Sequence, residues 1–397
     1  MQKQVKDTKK NESNKSSFTY CTYLFIFILP LLLLPIYPYM KFDKQFHATY
    51  VKLPESPKFE GNLKENFLLQ KAEHFAKGKL IGPETILFVN DTMYTGLSNG
   101  QIVRVDENGN PHKIVQIGEE NCDEQSIHAR KECGRPLGLR YKSNFIYTAD
   151  GYYGIYKVDL TTNKKYAVLA ANDKRFDVPL KLIDDLDIDD EGIIYFTVST
   201  TKRDLHEAVA LHFESIPDGR VFSFNEKTNE LTLLIDKMVF PNGIQLTPDQ
   251  DALIIAEHGM ARLVKYYLKG PKIGQNEVLA NLPGFPDNLR ISDHNTLFVA
   301  LVLVRNPKPY RKSALDLFGE YPFIRNIIGS IFDFEKIALI SPKYALAVEY
   351  DFDGNILRSW HDPDGKVIEI VTCVTQNGNK LYLGSFYHDY IGVIDYN

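Results

Sequence analysis

A corner motif that recurs about every 50 residues constrains the fold of this chain more than any other feature of its sequence. Each copy is rich in Gly, Pro or Asp and runs into a short apolar strand, and the first five copies are spaced 45 to 57 residues apart. These copies are GPETILF at Gly82, GRPLGLR at Gly134, IDDLDID at Ile183, FPNGIQL at Phe240 and FPDNLRI at Phe285. A degenerate sixth copy, EIVTCVT, begins at Glu369 after a longer interval that contains a helical pattern at residues 313–336.

Short β-rich runs separated by turn sequences such as DENG, DDEG and QNGN fill the intervals between corners. Six β-meander units of this length are typical of a propeller, in which each blade buries its faces against its neighbours. A β-sandwich is the alternative, but it does not explain the repeated corner. We therefore predict an all-β, six-bladed β-propeller over residues 81–397.

Residues 18–39 form an N-terminal run of 22 residues without a charged side chain. About 20 apolar residues suffice to cross a bilayer as a helix. No small-residue cleavage site follows the run, which favours an uncleaved anchor over a signal peptide. Five lysines precede it and place the N-terminus in the cytoplasm. We expect a cytoplasmic tail at 1–17, a transmembrane anchor helix at 18–39, and a stalk and lead-in at 40–80 with a short helical pattern at 66–77.

This topology predicts a single-pass type II membrane protein of the endoplasmic reticulum, the plasma membrane or both, with a lumenal or extracellular propeller. In such an oxidising compartment Cys122 and Cys133 are expected to form a disulfide, the alternative being two free thiols. Asn90 begins an Asn-Asp-Thr sequon and is a glycosylation candidate if its turn is exposed.

The charge of the chain argues against a nucleic-acid partner. The formal net charge is −5, and the first 40 residues hold five lysines against two acidic residues, which leaves −8 for the rest. A nucleic-acid-binding domain usually carries an excess of positive charge. A membrane partner through the anchor and a protein partner both remain compatible with this composition.

Oxygen-bearing side chains recur within the corners. Because the innermost strands of a propeller surround a channel, the corners that lead into those strands should meet at one mouth. The residues expected there are Glu84, Asp184, Asp185, Asn242, Asp287 and Asn288. Facing carboxylates repel one another unless a cation neutralises them, and an all-oxygen donor set favours Ca²⁺. The alternative is that these Asp and Asn side chains only satisfy backbone N–H groups in turns.

Other catalytic signals are weak. His258 and His388 follow inner-type strands and are candidates to face the channel, although a lone histidine there is more often packed or hydrogen-bonded. No nucleophile elbow, P-loop or dinucleotide-binding fingerprint stands in a fitting context. Residue chemistry alone therefore predicts a propeller with an oxygen-ligated cation.

Several motifs resemble those of the strictosidine synthase-like propeller family. They are FPNGIQLTPD at Phe240, AEHGMARLVKYYLKG at Ala256, LPGFPDNLR at Leu282, HDPDG at His361 and KLYLGSF at Lys380. The likeness covers roughly Phe59 to the C-terminus, together with the anchor topology. It implies a six-bladed propeller, a lumenal or cell-surface domain, and kinship with calcium-dependent paraoxonases and lactonases.

The resemblance also implies a calcium ligand set. Glu84, Asn242 and the pair Asp287 and Asn288 match the ligand positions of those relatives, and Asp184 stands where an asparagine is usual. Asp184 is still an oxygen ligand, so the substitution bears on affinity rather than on binding itself.

Two departures bear on the chemistry that the resemblance implies. Leu137 occupies the position at which paraoxonases have a histidine, so a base that activates water is not assured there. Thr372 stands where the plant synthases place a glutamate base, which makes condensation of an amine with an aldehyde an unfavourable reading.

The expected function is calcium-dependent hydrolysis of a small-molecule aryl ester or lactone. Glu84 and Asp287 would be the catalytic residues, with Asp287 or a water molecule at the cation as nucleophile or base. The alternative is a non-catalytic propeller that binds a partner on its face, a reading that the residues Leu137 and Asp184 favour.

Overall fold

The computed structural model describes residues 37–122, 130–308, 312–340 and 343–396. Within these ranges the strands form six antiparallel sheets of four strands each. The predicted six-bladed, all-β propeller is thereby confirmed.

Five blades are built from consecutive strands. Blade 1 contains β2 (Ile86–Val89), β3 (Thr92–Gly96), β4 (Gln101–Val105) and β5 (Pro111–Gln116). Blade 2 contains β6 (Pro136–Lys142), β7 (Phe145–Asp150), β8 (Gly154–Asp159) and β9 (Lys164–Ala170). Blade 3 contains β10 (Leu182–Ile188), β11 (Ile193–Thr200), β12 (Gly219–Asn225) and β13 (Glu230–Met238). Blade 4 contains β14 (Pro241–Leu246), β15 (Ala252–Glu257), β16 (Arg262–Tyr267) and β17 (Asn276–Asn281). Blade 5 contains β18 (Gly284–Ile291), β19 (Leu297–Val304), β20 (Ala345–Tyr350) and β21 (Ile356–Asp362).

The sixth blade joins the two ends of the propeller. It contains β22 (Cys373–Asn377), β23 (Lys380–Gly384), β24 (Ile391–Asp395) and, as its outermost strand, β1 (Glu73–Phe75) from the N-terminal side. Of the helical pattern at 66–77, the structure contains only the 3₁₀ turn Leu68–Lys71. The reason is tertiary pairing: β1 pairs with β24, and the His74 ring stacks on Tyr390 with 3.7 Å between centroids.

The innermost strands β2, β6, β10, β14, β18 and β22 neighbour one another in a closed ring. The hydrophobic core lies between blades rather than inside any one of them. Ile254 of blade 4, for example, shares a cluster with Leu289 and Val299 of blade 5. Successive side chains of a strand point to opposite faces of its blade, and each face packs against a neighbouring blade. A single blade could therefore not bury its apolar faces by itself.

Helices occupy two insertions. One is α1 (Ala208–Glu214), which lies between β11 and β12. The other, between β19 and β20, holds α2 (Ala314–Phe318), α3 (Pro322–Ile331) and α4 (Phe334–Ile340), in the stretch where the sequence predicts helix. Further 3₁₀ turns are Tyr37–Tyr39, Gly61–Leu63, Lys131–Cys133, Leu205–Glu207 and His258–Met260.

A smaller unit comprises residues up to 47 together with 326–341, and the propeller unit comprises 48–325 and 342–397. Within the described part of the smaller unit, the backbone N–H of Lys41 donates to Ile331 O at 2.8 Å, and Met40 forms a β-bridge with Phe332. The Phe46 and Phe334 rings pack with 5.4 Å between centroids.

The predicted anchor at 18–39 lies outside the described residues as far as position 36, and Tyr37–Tyr39 forms a 3₁₀ turn. Among the helices of the described ranges, none has both the length and the apolar character needed to span a bilayer. Cys122 and Cys133 form the expected disulfide. Asn90 lies in an exposed turn between β2 and β3, as a glycosylation site requires.

Candidate metal centre

A shared irregularity of the inner strands places the corner side chains. In blade 4, Pro241 pairs with Glu257 and Ile244 pairs with Ile255, so two residues of β14 oppose one residue of β15. This is a β-bulge, which redirects the bulged side chains away from the regular pleat. The same shift occurs in blades 2, 3 and 5. The bulged pairs are Leu137–Gly138, Asp184–Asp185, Asn242–Gly243 and Asp287–Asn288.

The first residues of these pairs meet at the mouth of the channel, the end at which the inner strands begin. Glu84 before β2 and Thr372 before β22 occupy the corresponding places in blades 1 and 6. Carboxylate oxygens of Glu84, Asp184 and Asp287 all lie within 4.8 Å of one another. The three acids therefore come from alternate blades, and each of the three is at most 4% exposed.

Several buried oxygens at this mouth have no hydrogen-bond partner among the described residues. They are Glu84 Oε2, Asn242 Oδ1, Asp287 Oδ1 and Thr372 Oγ1. Leaving a buried acceptor unsatisfied costs about 1–3 kcal/mol, so such groups normally have a partner. A hard divalent cation would satisfy these oxygens at once, and the donor set therefore fits calcium.

Burial and mutual repulsion hold the three carboxyl groups toward their protonated forms. Burial raises the pKa of Glu84 to about 7, against the opposing effect of the Arg135 charge. Burial, followed by the charge of Glu84, raises the pKa of Asp184 and of Asp287 well above their usual range. A cation would displace these protons, because metal ligands must be deprotonated.

Asp185, which the sequence placed beside Asp184, is engaged elsewhere. Arg290 Nη1 donates to its Oδ2 at 2.8 Å, Arg140 Nη1 donates to its Oδ1 at 3.3 Å, and the backbone N–H of Ile244 donates to its Oδ2 at 3.2 Å. Arg290 Nη2 also donates to Thr85 Oγ1 at 3.0 Å. Asp185 thus belongs to a charged layer with Arg140 and Arg290 rather than to the carboxylate cluster.

Asn288 contacts the cluster through its amide. Its Nδ2 donates to Glu84 Oε1 at 3.4 Å, while its Oδ1 accepts from Arg290 Nη2 at 3.4 Å. Its backbone N–H donates to Thr372 O at 3.0 Å and ties the fifth corner to the sixth. The structure therefore brings Asn288 to the centre as a neighbour of Glu84.

A buried histidine pair packs beside the fourth and fifth corners. His258 Nδ1 lies 2.9 Å from Pro286 O, and since a carbonyl only accepts, this nitrogen carries the proton. His258 Nε2 then accepts a hydrogen bond from His212 Nδ1 at 3.0 Å. When both rings are neutral, His212 Nε2 is therefore the nitrogen that carries no proton. Burial lowers the pKa of His258 to about 4 and that of His212 well below its ordinary value.

The sequence singled out His258 but not His212. His212 lies on α1, outside every corner, so the repeat contained no sign of it. The sequence did contain one local signal near His212. Asp204 and Glu207 form a capping box, a pattern that predicts the start of a helical segment just before α1. His388, the other histidine candidate, is buried and stacks on Tyr390 with 4.5 Å between centroids, in keeping with the packed reading.

Apolar side chains surround part of the mouth. Leu137, Leu182, Leu211 and Phe240 form one buried cluster, with Leu205 packed against it. Leu137 belongs to the second corner and Phe240 to the fourth, so the cluster contains residues from two of the corners that form the candidate metal centre.

Solved structures with a similar fold include a gluconolactonase from Xanthomonas campestris, with a TM-score of 0.55 and 12% identity over 88% of this chain and 98% of that chain. A calcium-binding regucalcin from Agrobacterium tumefaciens has a TM-score of 0.51 and 13% identity over 81% of this chain and 92% of that chain. At these identities the likeness shows the fold alone.

Sequence comparison is more specific. The family model described as strictosidine synthase matches residues 184–271, and the model described as strictosidine synthase-like, N-terminal, matches residues 61–105. The adipocyte plasma membrane-associated protein of Salmo salar is 34% identical over 93% of this chain and 87% of its own length. Its counterpart in Homo sapiens is 35% identical over 84% of this chain and 79% of its own length. The chain therefore belongs to the strictosidine synthase-like family and, within it, to the adipocyte plasma membrane-associated proteins.

Proposed function

We propose that this chain is a calcium-dependent hydrolase of small aryl esters or lactones. The observation that carries the proposal is the cluster of Glu84, Asp184 and Asp287, whose carboxylate oxygens lie within 4.8 Å of one another in a buried, largely unsatisfied oxygen site. The structural neighbour from Xanthomonas campestris is a gluconolactonase, which is compatible with lactone chemistry.

Glu84, Asp184, Asn242 and Asp287 would hold the cation, with Asn288 supporting Glu84 through its amide. Bound there, calcium supplies a Lewis acid that polarises the ester carbonyl and stabilises the oxyanion that develops on it. Glu84 and Asp287 are the proposed catalytic residues, because each offers a buried carboxylate oxygen without a hydrogen-bond partner to the cation that would polarise the carbonyl.

The histidine pair supplies the base that Leu137 cannot. His258 holds its Nδ1 proton against Pro286 O, which fixes the tautomer of both rings and leaves His212 Nε2 as the proton acceptor. A base whose pKa is lowered stays neutral, and therefore able to accept a proton, at neutral pH. In the proposed reaction His212 Nε2 accepts the proton of the attacking water.

The test is hydrolysis of phenyl acetate and of an aliphatic lactone by the purified full chain, with calcium and then with a chelator. Chelation and Glu84→Gln should both abolish the activity, while Glu277→Gln on the outer strand β17 should leave it unchanged. His212→Gln should lower kcat about a hundredfold or more while calcium still stabilises the protein. A folded, calcium-binding chain without ester or lactone hydrolysis would refute the enzymatic proposal.

A second candidate function is a non-catalytic propeller that binds a protein partner. It is favoured by Leu137, an aliphatic side chain in the second corner, and by the apolar cluster around it. Calcium binding with no hydrolysis in the same assay would favour this function. Strictosidine-type condensation stays disfavoured, since Thr372 is the sixth-corner residue and carries no carboxylate.

For localisation we keep the type II topology, with the anchor at 18–39 and the propeller in the lumen of the endoplasmic reticulum or outside the cell. The relatives' name, plasma membrane-associated, supports membrane association. The exposed Asn90 provides the test: a glycosidase should increase the gel mobility of the wild-type chain but not of Thr92→Ala. If protease added outside sealed microsomes digests the propeller, the propeller lies on the cytoplasmic side and the proposed topology is wrong.

A further inference from the structure

Arg135, in the second corner, is a buried cation that the proposed reaction does not use. It is 2% exposed, and its Nη1 has no hydrogen-bond partner among the residues that the structure describes. A guanidinium has five N–H donors and is always charged in proteins. Burying a charged donor without a partner is costly, so such groups are normally paired. Arg135 therefore has a donor available for a molecule that binds at this corner.

Two buried carboxyl groups act on the charge of Arg135, but neither is bonded to its Nη1. Asp150 is occupied by backbone groups: its Oδ2 accepts from the N–H of Arg135 itself at 2.6 Å. Its Oδ1 accepts from the N–H groups of Tyr152 and Tyr153, each at 3.0 Å. Burial lowers the pKa of Arg135, and the charge of Glu84 opposes this effect. Glu84 Oε2 also lacks a partner among the described residues, so these two opposite charges interact without a bond between the two atoms.

Glycine at position 82 leaves room for the guanidinium at the first corner. A Cβ added to Gly82 would lie 2.9 Å from Arg135 Nη2 and 3.1 Å from its Nη1, so the guanidinium covers the residue two positions before Glu84. Leu137, two residues beyond Arg135, belongs to the apolar cluster that includes Phe240. The second corner thus combines a cation that reaches the first corner with an apolar side chain, which suits an organic anion better than an inorganic one.

We propose that Arg135 binds a carboxylate group of the substrate, so that the hydrolase acts on esters or lactones that carry a carboxylate. The planar guanidinium can donate two parallel hydrogen bonds to a carboxylate, which gives both strength and orientation. A phosphate group would bring about two negative charges toward Glu84, Asp184 and Asp287, whereas a carboxylate brings one. This substrate class rests on the proposed hydrolase function, while carboxylate binding at Arg135 can be measured without hydrolysis.

The binding test is isothermal titration of the full chain with benzoate and with its neutral analogue benzamide. Benzoate should bind more tightly than benzamide, and Arg135→Met should weaken benzoate binding about tenfold or more and benzamide binding far less. Arg135→Lys keeps the charge but not the planar fork, so it should also weaken benzoate binding. Arg104→Met, at an exposed position on β4, is the control and should bind benzoate as the wild type does.

Urea unfolding checks that each variant is folded, and Arg135→Met should not lower the denaturation midpoint, because it removes an unpaired buried charge. Equal affinities for benzoate in the wild type and in both Arg135 variants would overturn the proposal. If Arg135→Met does not fold, unchanged binding in Arg135→Lys is the overturning result. Benzoate binding that is lost in chelator but kept in Arg135→Met would also overturn it, because the cation would then hold the carboxylate.

Hydrolysis separates the substrate class from the hydrolase function. The substrates are 4-acetoxybenzoate and the neutral 4-acetoxybenzamide, and Arg135→Met should lower the ratio of their kcat/KM values about tenfold or more, mostly through KM for the benzoate. A chain that binds benzoate through Arg135 but hydrolyses neither ester would refute the hydrolase and keep the carboxylate site. Hydrolysis of both esters with an unchanged ratio in Arg135→Met would keep the hydrolase and overturn the carboxylate site.

Discussion

At the residue scale, Asp184 and Asp185 are neighbours in sequence with opposite environments. Asp184 points into the carboxylate cluster, where burial and the charge of Glu84 raise its pKa. Asp185 accepts from Arg290 and Arg140 and is fully buried as a paired charge. One aspartate is therefore destabilising until a cation neutralises it, and the other is a structural ion-pair partner.

This difference predicts the effects of two matched substitutions. In chelator, Asp184→Asn should leave the free energy of unfolding unchanged or raise it, because one repelling carboxylate is removed, and calcium should stabilise the variant less than the wild type, because the ligand set has lost one negative charge. Asp185→Asn should lose about 3 kcal/mol in chelator, since the buried Arg290 guanidinium loses its ion-pair partner, while Arg140 keeps its ion pair with Asp187. Urea unfolding with and without calcium measures both effects, and equal losses for the two variants would contradict the assignment.

The histidine pair predicts a pH dependence of stability. Histidine titrates near pH 6.5 in an unfolded chain, whereas burial lowers the pKa of His258 to about 4 in the fold. Between these values the unfolded state binds more protons, so the free energy of unfolding falls as the pH drops from 6.5 toward 4, by about 3 kcal/mol for this group. Glu84, whose pKa is raised, contributes with the opposite sign between pH 4.5 and 7.

Variants can separate the contribution of the histidines to the pH dependence of the free energy of unfolding from that of the carboxylates. His258→Gln should flatten the loss of stability below pH 6.5, and His294→Gln, a histidine packed on Tyr396, serves as the control. The charged group that acts on the pair from a neighbouring element is Arg325, which also lowers the pKa of His212. An unchanged slope in His258→Gln would show that the pair does not control the acid stability.

At the element scale, the bulge at the start of the inner strands is the device that makes the site. Gly243, the second bulged residue of blade 4, lies so close to blade 5 that an added Cβ would be 2.5 Å from Asp287 O and 2.7 Å from Leu289 N. A side chain at this position would push the fifth corner, and with it Asp287, out of place. The glycine thus serves the close approach of two backbones.

We expect Gly243→Ala to lower the free energy of unfolding by about 1–3 kcal/mol and to weaken calcium binding. In the control Gly151→Ala, the new methyl group would meet the Leu137 and Leu182 methyl groups at 3.2 and 3.4 Å, which can rotate away. Isothermal titration with calcium and urea unfolding measure both variants. Normal calcium affinity in Gly243→Ala would show that the bulge does not need this close contact.

The corners could be recognised from sequence because Gly, Pro and Asp punctuate apolar strands at a constant interval. Their bulges could not, because a bulge is a property of pairing with the neighbouring strand. Strand β1 could not be predicted from sequence for a similar reason. Local preference at 66–77 indicated a helix, and only β24 offers the backbone partners that make Glu73–Phe75 a strand.

At the scale of the whole molecule, the ring of blades is closed by three residues, Glu73, His74 and Phe75, on the edge of the last blade. Replacing all three by Gly should weaken this strand and expose β24 as an unpaired edge. The expected result is a lower denaturation midpoint together with faster amide hydrogen exchange across Ile391–Asp395. The same replacement at Asn276, Glu277 and Val278 on β17, the outermost strand of blade 4, should affect only its own sheet, and equal effects would refute the closing role of β1.

By itself, the sequence determined the number of blades and the positions of the corner oxygens, because both depend on periodic local patterns. Only the tertiary structure decided which oxygens meet: Arg290 reaches Asp185 across 105 residues of sequence, and His212 reaches His258 across 46. Asp184 and Asp185 look alike in the chain, and a bulge separates them into a candidate cation ligand and an ion-pair partner. The physical reason is that burial, charge neutralisation and hydrogen-bond geometry belong to pairs of distant residues, and those pairs exist only once the blades have closed into a ring.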